Sequence, residues 1–191
     1  MTDFPVIGVV GLQASGKTEV AKRMMQLGAS RVRMGDVVWN EVKNRGLKVS
    51  EEKVAEVANE LREKEGPAAI AKHCIPLIKE KGKESKAVIV DGIRSDSEVE
   101  VFKNAFGENF SLISVEAAEN TRYNRVESRG REDDIGDWEA FRAKDEQELG
   151  WGMGEAMEMS DFKIINEGSL EDLWDKATEV FEEITGRKIE D

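Results

Sequence analysis

The sequence predicts an α/β fold in which helices cover both faces of a mainly parallel, five-stranded sheet. Short apolar runs rich in β-branched residues alternate with amphipathic segments along the whole chain, which is the order typical of strand–helix–strand units. The runs are apolar at consecutive positions, as strands buried on both faces of a parallel sheet are. The 191 residues suffice for one domain with a full-sized core, residues 1–191, and two large domains would not fit.

The predicted strands are short and end at turn residues or at polar residues. The first runs from Phe4 to Val10 and is followed by a glycine, and the third, KAVIVD, ends at Asp91. In chain order, the predicted strands cover residues 4–10, 31–34, 86–91, 110–115 and 161–165.

Glycines and capping residues set the limits of the predicted helices. Ser50 is expected to cap the helix that follows it, and Gly28 and Gly82 are expected to end two others. Pro76 predicts a kink or an early break in its helix. The predicted helices cover residues 19–27, 35–46, 51–65, 67–81, 95–106, 119–129, 137–149 and 170–184. Because the helical block at residues 35–82 is too long for a simple crossover, we interpret it as an insertion that shapes an acceptor site.

Composition and charge exclude several classes of protein. The 40 acidic and 28 basic residues give a net charge of −12, which argues against nucleic acid as the main partner. No apolar run approaches the ~18 residues of a membrane-spanning helix, and no secretory leader is recognisable at the start. A single cysteine, Cys74, excludes an internal disulfide and fits a reducing compartment. We therefore expect a cytoplasmic protein with a small anionic ligand.

A glycine-rich loop follows the first predicted strand and precedes a helix. It has the sequence GLQASGKT and satisfies the phosphate-loop pattern G-x-x-x-x-G-K-[ST]. Glycines let successive backbone N–H groups point inward at phosphate oxygens, while the lysine reaches the β and γ phosphates. The residues predicted to bind ATP here are Gly11, Leu12, Gln13, Ala14, Ser15, Gly16, Lys17 and Thr18. The fold class thereby becomes that of the P-loop NTPases, a three-layer α/β/α sandwich.

A second carboxylate completes the predicted nucleotide site. Asp91 ends the apolar strand 86–91, where ligands bind in open α/β sheets. We predict that Asp91 and Thr18 hold Mg²⁺, the metal that accompanies ATP in such sites. The alternative is that Asp91 only caps the following turn with Gly92.

Longer stretches resemble a known group of enzymes. GLQASGKT, the Gly35-Asp36 pair and the sequence Asp-Gly-Ile-Arg at 91–94 are similar to the nucleoside monophosphate kinases, which include adenylate kinases and dephospho-CoA kinases. MGDVV, REKEGPAAIAK, VDGIRS, RGREDD and INEGSLE resemble, over nearly the whole chain, an uncharacterised archaeal family of adenylate-kinase-related P-loop proteins.

This resemblance implies roles for residues on the acceptor and adenine sides. Asp36 would face the acceptor, Arg94 would hold an acceptor phosphate, and Asn166 and Gly168 would border the adenine. Two departures put a plain AMP acceptor in doubt: Trp39 and Asn40 stand where adenylate kinases carry an arginine, and the Asp-Gly-Phe-Pro-Arg of those enzymes is shortened. Trp39 either stacks on an acceptor base or packs its helix against neighbours.

Several arginines cluster near the expected lid at residues 130–154. Arg122, Arg125 and Arg129 share one face of the predicted helix 119–129, and Arg131 follows it. The resemblance implies that all four close over the triphosphate and stabilise charge during transfer, with glycines at 130, 136, 150, 152 and 154 as hinges. The alternative is a solvated face balanced by nearby acids.

These observations predict an ATP- and Mg²⁺-dependent kinase that phosphorylates a small nucleotide-like acceptor, a nucleoside monophosphate or a dephospho-CoA-like compound. If the acceptor nucleophile is a hydroxyl, Asp36 is the candidate general base; if it is a phosphate, arginines must neutralise the repulsion. The alternative function is a nucleotide-dependent switch or slow ATPase without a small acceptor. The sequence leaves the preference for ATP over GTP and the oligomeric state open.

Overall fold

The computed structural model describes residues 3–129 and 137–186, without the side chain of Arg129. Residues 130–136 of the predicted lid, which include Arg131, lie outside the described residues.

Five strands form one parallel sheet in the described part of the chain. They are β1 (Val6–Val10), β2 (Ala29–Arg33), β3 (Ala87–Asp91), β4 (Phe110–Glu116) and β5 (Phe162–Ile165). Their spatial order is β2-β3-β1-β4-β5, and the pairings are parallel. The helices that follow the neighbouring strands β1 and β3 pack on opposite faces of the sheet. A crevice therefore opens between the carboxyl ends of these two strands, where open α/β sheets bind ligands.

Helices connect the strands and cover both faces of the sheet. They are α1 (Lys17–Gln26), α2 (Met34–Asn44), α3 (Glu51–Glu65), α4 (Ala69–Gly82), α5 (Asp96–Phe106), α6 (Glu119–Arg129), α7 (Trp138–Gly150), α8 (Met153–Glu158) and α9 (Leu170–Thr185). As predicted, the Ser50 hydroxyl caps α3 by accepting the Lys53 N–H. The sequence did not predict α8, which has only 6 residues and begins between two glycines.

The expected early break at Pro76 is wrong. Helix α4 continues through Pro76 to Gly82. Cys74 and Ile78, on either side of the proline, are fully buried in the core, so packing outweighs the backbone hydrogen bond that a proline removes.

Two apolar cores lie on opposite faces of the sheet, and alternate residues of β1 enter each. Val6 and Val10 face the core formed with α2, α3, α4, α5 and α8. Ile7 and Val9 face the core formed with α1 and α9. This confirms the predicted three-layer sandwich. Within the described ranges, no helix has both the length and the apolarity that crossing a membrane requires.

Candidate active site

The phosphate loop leaves the carboxyl end of β1 and turns into α1. Gly11, Ala14 and Gly16 have positive φ angles of 145°, 57° and 113°, which curl the backbone around a central space. The Lys17 ammonium lies against this loop and donates to the carbonyl oxygens of Gly11 and Leu12 at 2.5 and 2.9 Å. In the described part of the chain, no side chain caps the amino end of α1, so the positive end of its dipole is available to an anion.

The side chains of two residues that are predicted to bind the nucleotide hold the loop in shape. The Gln13 amide donates to the Phe141 carbonyl oxygen at 2.7 Å and to Asp145 Oδ1 at 3.2 Å. The Asn166 amide donates to the Ser15 carbonyl oxygen at 2.8 Å. Asn166 also leaves no room for a side chain at residue 16, where an added Cβ would lie 2.4 Å from its Nδ2. These side chains therefore act on the loop from outside, and nucleotide contact through the backbone stays a prediction.

Arg122 is buried in an ion pair that links α6, α7 and the loop. Its two terminal nitrogens donate to the Asp145 carboxylate at 3.0 and 2.6 Å, and one of them also donates to the Gln13 carbonyl oxygen at 3.2 Å. The two paired side chains are only 5% and 8% exposed. Arg122 thus braces the loop in this arrangement, and its part in charge stabilisation remains a prediction.

Arg125 reaches the same loop one turn further along α6. It donates to the carbonyl oxygens of Ala14, at 3.4 Å, and Asn166, at 2.9 Å. The structure thereby brings Arg125 beside the loop that follows β5, which the resemblance placed at the adenine. Gly168 lies two residues further in that loop, and Arg129 ends α6.

Asp91 lies at the carboxyl end of β3, next to the phosphate loop. Strand pairing sets it beside Val9 of β1, two residues before the loop begins. Its Oδ2 forms an ion pair with Arg31 of β2, and both side chains are largely buried, at 18% and 22% exposure. Sequence reasoning missed Arg31. The pair occupies one carboxylate oxygen and fixes the orientation of the other.

The possible metal ligands near the loop suit a magnesium ion that is bound together with a nucleotide, rather than an ion that protein side chains hold alone. Among the described residues, no group of three or more His, Cys, Asp or Glu side chains could hold a metal ion. Asp91 offers carboxylate oxygen, and Thr18, at the second position of α1, offers an exposed hydroxyl. Mg²⁺ favours one or two carboxylates together with phosphate oxygens and water, so these residues fit an ion that arrives with the nucleotide.

The predicted acceptor residues lie at the ends of the two neighbouring strands β2 and β3. Asp36, in the first turn of α2, accepts from Arg33 Nε at 3.0 Å, and its side chain is 46% exposed. Trp39, one turn later, is 44% exposed; it therefore does not serve to pack α2 into the core, and stacking on a base stays a prediction.

The loop after Asp91 is held by a buried carboxylate. Glu98 Oε2 accepts the Arg94 backbone N–H at 2.8 Å, and burial raises the pKa of Glu98. The exposed Arg94 guanidinium lies 5.2 Å from the centre of the Trp151 ring, within range of a cation–π contact. Trp151, which follows α7, thus contacts a predicted acceptor residue, a contact that sequence reasoning missed.

Comparison with known proteins shows a family. The family model AAA_18, described as an AAA domain, matches residues 7–149. The UPF0200/UPF0201 protein of Archaeoglobus fulgidus is 47% identical over 178 residues, which are 93% of this chain and 55% of that protein. The chain thus spans about half the length of that relative. A UPF0200 protein of Methanosarcina mazei is 44% identical over 87% of this chain and 88% of its own length.

A likeness to solved structures agrees with the fold. The dephospho-CoA kinase from Campylobacter jejuni superposes with a TM-score of 0.58 at 18% identity, over 96% of this chain and 99% of that one. At this identity the likeness shows the fold, a P-loop kinase-like α/β sandwich. The relatives in sequence show the family as well as the fold, and they confirm the resemblance to an uncharacterised archaeal P-loop family. The chain therefore belongs to the UPF0200 family, with a P-loop domain of the AAA_18 type.

Proposed function

We propose that this protein is an ATP-dependent phosphotransferase that transfers the γ-phosphate to a small nucleotide-like acceptor, a nucleoside monophosphate or a dephospho-CoA-like compound. One observation carries the proposal: the phosphate loop and the loop from Asp91 to Arg94 lie side by side, because β1 and β3 pair in parallel with Val9 beside Asp91. A nucleotide-binding loop and a second anion-binding loop that share one crevice suit transfer between two bound molecules.

The nucleotide side rests on Lys17, Thr18 and Asp91. Lys17 binds the β and γ oxygens of ATP, and the loop N–H groups bind the remaining oxygens. Thr18 and Asp91 hold Mg²⁺, which when bound neutralises developing charge on the transferred group. Arg125, with Arg129 and Arg131 further along the chain, closes over the triphosphate.

The acceptor side rests on the insertion and on Arg94. Helices α2, α3 and α4 fall within residues 35–82 between β2 and β3, and the first of them presents Asp36 and Trp39 near this side. Arg94, which lies over a ring and is exposed, binds the anionic part of the acceptor. We propose that this insertion selects the acceptor and that residues 130–154 form the lid.

Calorimetric titration with ATP and Mg²⁺ tests the nucleotide site directly. Lys17→Met should weaken ATP binding about 10- to 100-fold, since hydrogen bonds to charged groups contribute ~1.5–3 kcal/mol. The control is Lys22→Met, on the same helix, which breaks only an exposed pair with Glu19 and should leave affinity unchanged. Equal ATP affinity for the Lys17 variant and the unsubstituted protein would contradict the proposal.

Turnover is then measured with ATP, Mg²⁺ and a panel of nucleosides, nucleoside monophosphates and dephospho-CoA. Stimulation of ADP release by one class of acceptor, with formation of its phosphorylated product, is the expected result. Hydrolysis that no acceptor stimulates would point instead to the switch or slow ATPase.

A further inference from the structure

Helix α7 links the nucleotide side of the site to the acceptor side. Asp145 contacts the phosphate loop through Gln13 and Arg122. Trp151, just past the end of the helix, contacts Arg94 in the acceptor loop. Residue 148 lies between these two at intervals of three, and residues three or four apart share one face of a helix. Glu148 is therefore carried to the junction of the two sides.

The Glu148 carboxylate has an oxygen that is not used within the described structure. Its Oε2 is shielded from solvent and, among the described residues, has no hydrogen-bond partner. Leaving a buried charged oxygen unsatisfied costs free energy, so an incoming proton donor would be bound favourably.

The contacts on either side of Glu148 fix where it lies. Asp145, three residues before it, contacts Gln13 in the loop against which Lys17 lies, and Lys17 marks where the β and γ phosphates of the proposed nucleotide bind. Glu148 therefore lies on the helix face that runs from the phosphate side to the acceptor side, between which the group is transferred.

Asp36, the general base that the sequence suggests, is less well placed than Glu148 to accept a proton. Its carboxylate is engaged by Arg33 at 3.0 Å, and both side chains are about half exposed or more, at 46% and 61%. To accept a proton from the acceptor, Asp36 would have to do so beside an arginine that already occupies its Oδ2. Glu148 Oε2 has no hydrogen-bond partner among the described residues.

We propose that Glu148 is the general base of the reaction, and that the acceptor nucleophile is consequently a hydroxyl group. This inference rests on the proposed phosphotransferase function. The acceptor oxygen forms a bond to the γ-phosphorus, the bond from that phosphorus to the β–γ bridging oxygen breaks, and ADP leaves with the bond electrons. The hydroxyl proton passes to Glu148. A carboxylate at this point would repel a phosphate acceptor, which has no proton to give up.

The test compares Glu148→Gln with Glu146→Gln, an exposed neighbour on the same helix. Each variant is assayed with ATP, Mg²⁺ and the acceptor panel, and the product is identified by phosphorus NMR. We expect a phosphomonoester product, a fall in kcat of ~10²-fold or more for Glu148→Gln, and an unchanged KM for ATP. Glu146→Gln should match the unsubstituted protein, and Glu148→Asp should recover part of the rate, since it keeps a carboxylate.

The outcomes separate this inference from the function on which it rests. A phosphoanhydride product, or an unchanged kcat for Glu148→Gln, overturns the inference while the kinase function stands. If no panel member is phosphorylated, water serves as the hydroxyl acceptor, and the rates of ATP hydrolysis by Glu148→Gln and by the unsubstituted protein are compared. Equal rates overturn the inference as well. If the unsubstituted protein does not bind ATP, both fail. A normal unfolding midpoint for Glu148→Gln attributes a lost rate to chemistry rather than to misfolding.

Discussion

Substitution of Asp145 by alanine tests whether α6, α7 and the phosphate loop form one structural unit. The carboxylate binds both terminal nitrogens of Arg122 at 2.6 and 3.0 Å, and the two side chains are 8% and 5% exposed. Its removal leaves a buried guanidinium without a counter-charge, which costs about 3–5 kcal/mol. We expect Asp145→Ala to lower the free energy of unfolding by that amount, a large share of the ~5–15 kcal/mol typical of a domain.

Urea unfolding with linear extrapolation measures this loss. As the control, Glu56→Gln breaks the exposed pair with Lys53, whose side chains are 59% and 41% exposed, and should cost no more than about 1 kcal/mol. Joint replacement, Arg122→Met with Asp145→Leu, removes both charges and should recover most of the loss. The reasoning is refuted if Asp145→Ala lowers the free energy of unfolding no more than Glu56→Gln does. It is also refuted if the double variant loses as much stability as the single substitutions Arg122→Met and Asp145→Leu lose together.

Two further predictions concern Glu98 and the glycines at positions 16 and 35. Because burial raises the pKa of Glu98 above its ordinary 4.5, its contribution to stability is complete below pH 4.5 and is lost as the pH rises through the folded-state pKa. Glu98→Gln should therefore remove a decline of up to about 1.4 kcal/mol per pH unit from the curve of unfolding free energy against pH, and parallel curves for the two proteins would contradict this. Gly16→Ala should destabilise by more than about 1 kcal/mol, since φ is +113° and the new Cβ would meet Asn166 at 2.4 Å. Gly35→Ala, in α2 with open space around it, should stabilise by up to about 1 kcal/mol in the same urea assay, and an equal effect of both would refute the steric argument.

The parts of the site that the sequence predicts are those in which neighbouring residues act together. The phosphate loop is contiguous, and its glycines, lysine and threonine have fixed spacing, so the pattern alone predicts a strand, a loop and a helix. Asp91 was predictable because it ends an apolar strand, and parallel strands end at one edge of a sheet.

The residues that sequence reasoning missed, Arg31 and Asp145, pair with predicted site residues far away in the chain. Arg31 contacts Asp91 across 60 residues, and Arg122 contacts Asp145 across 23. No local spacing predicts such contacts, because they depend on strand order and on how α7 lies over the loop. The spacing of Asp145, Glu148 and Trp151 could have indicated a shared helix face, but not which surface that face meets.

These pairings explain how a protein with a net charge of −12 can bind an anion. At the site, three arginines are matched by carboxylates: Arg31 by Asp91, Arg33 by Asp36 and Arg122 by Asp145. Three other cations are held by neutral groups instead, Lys17 and Arg125 by carbonyl oxygens and Arg94 by an aromatic ring. Since a phosphate adds to the hydrogen bond a Coulomb attraction between opposite charges that a neutral carbonyl lacks, a phosphate gains by replacing the carbonyl partners of Lys17. The acidic residues thus form direct ion pairs with arginines that build the site, whereas the cations proposed to bind its ligands form none among the described residues.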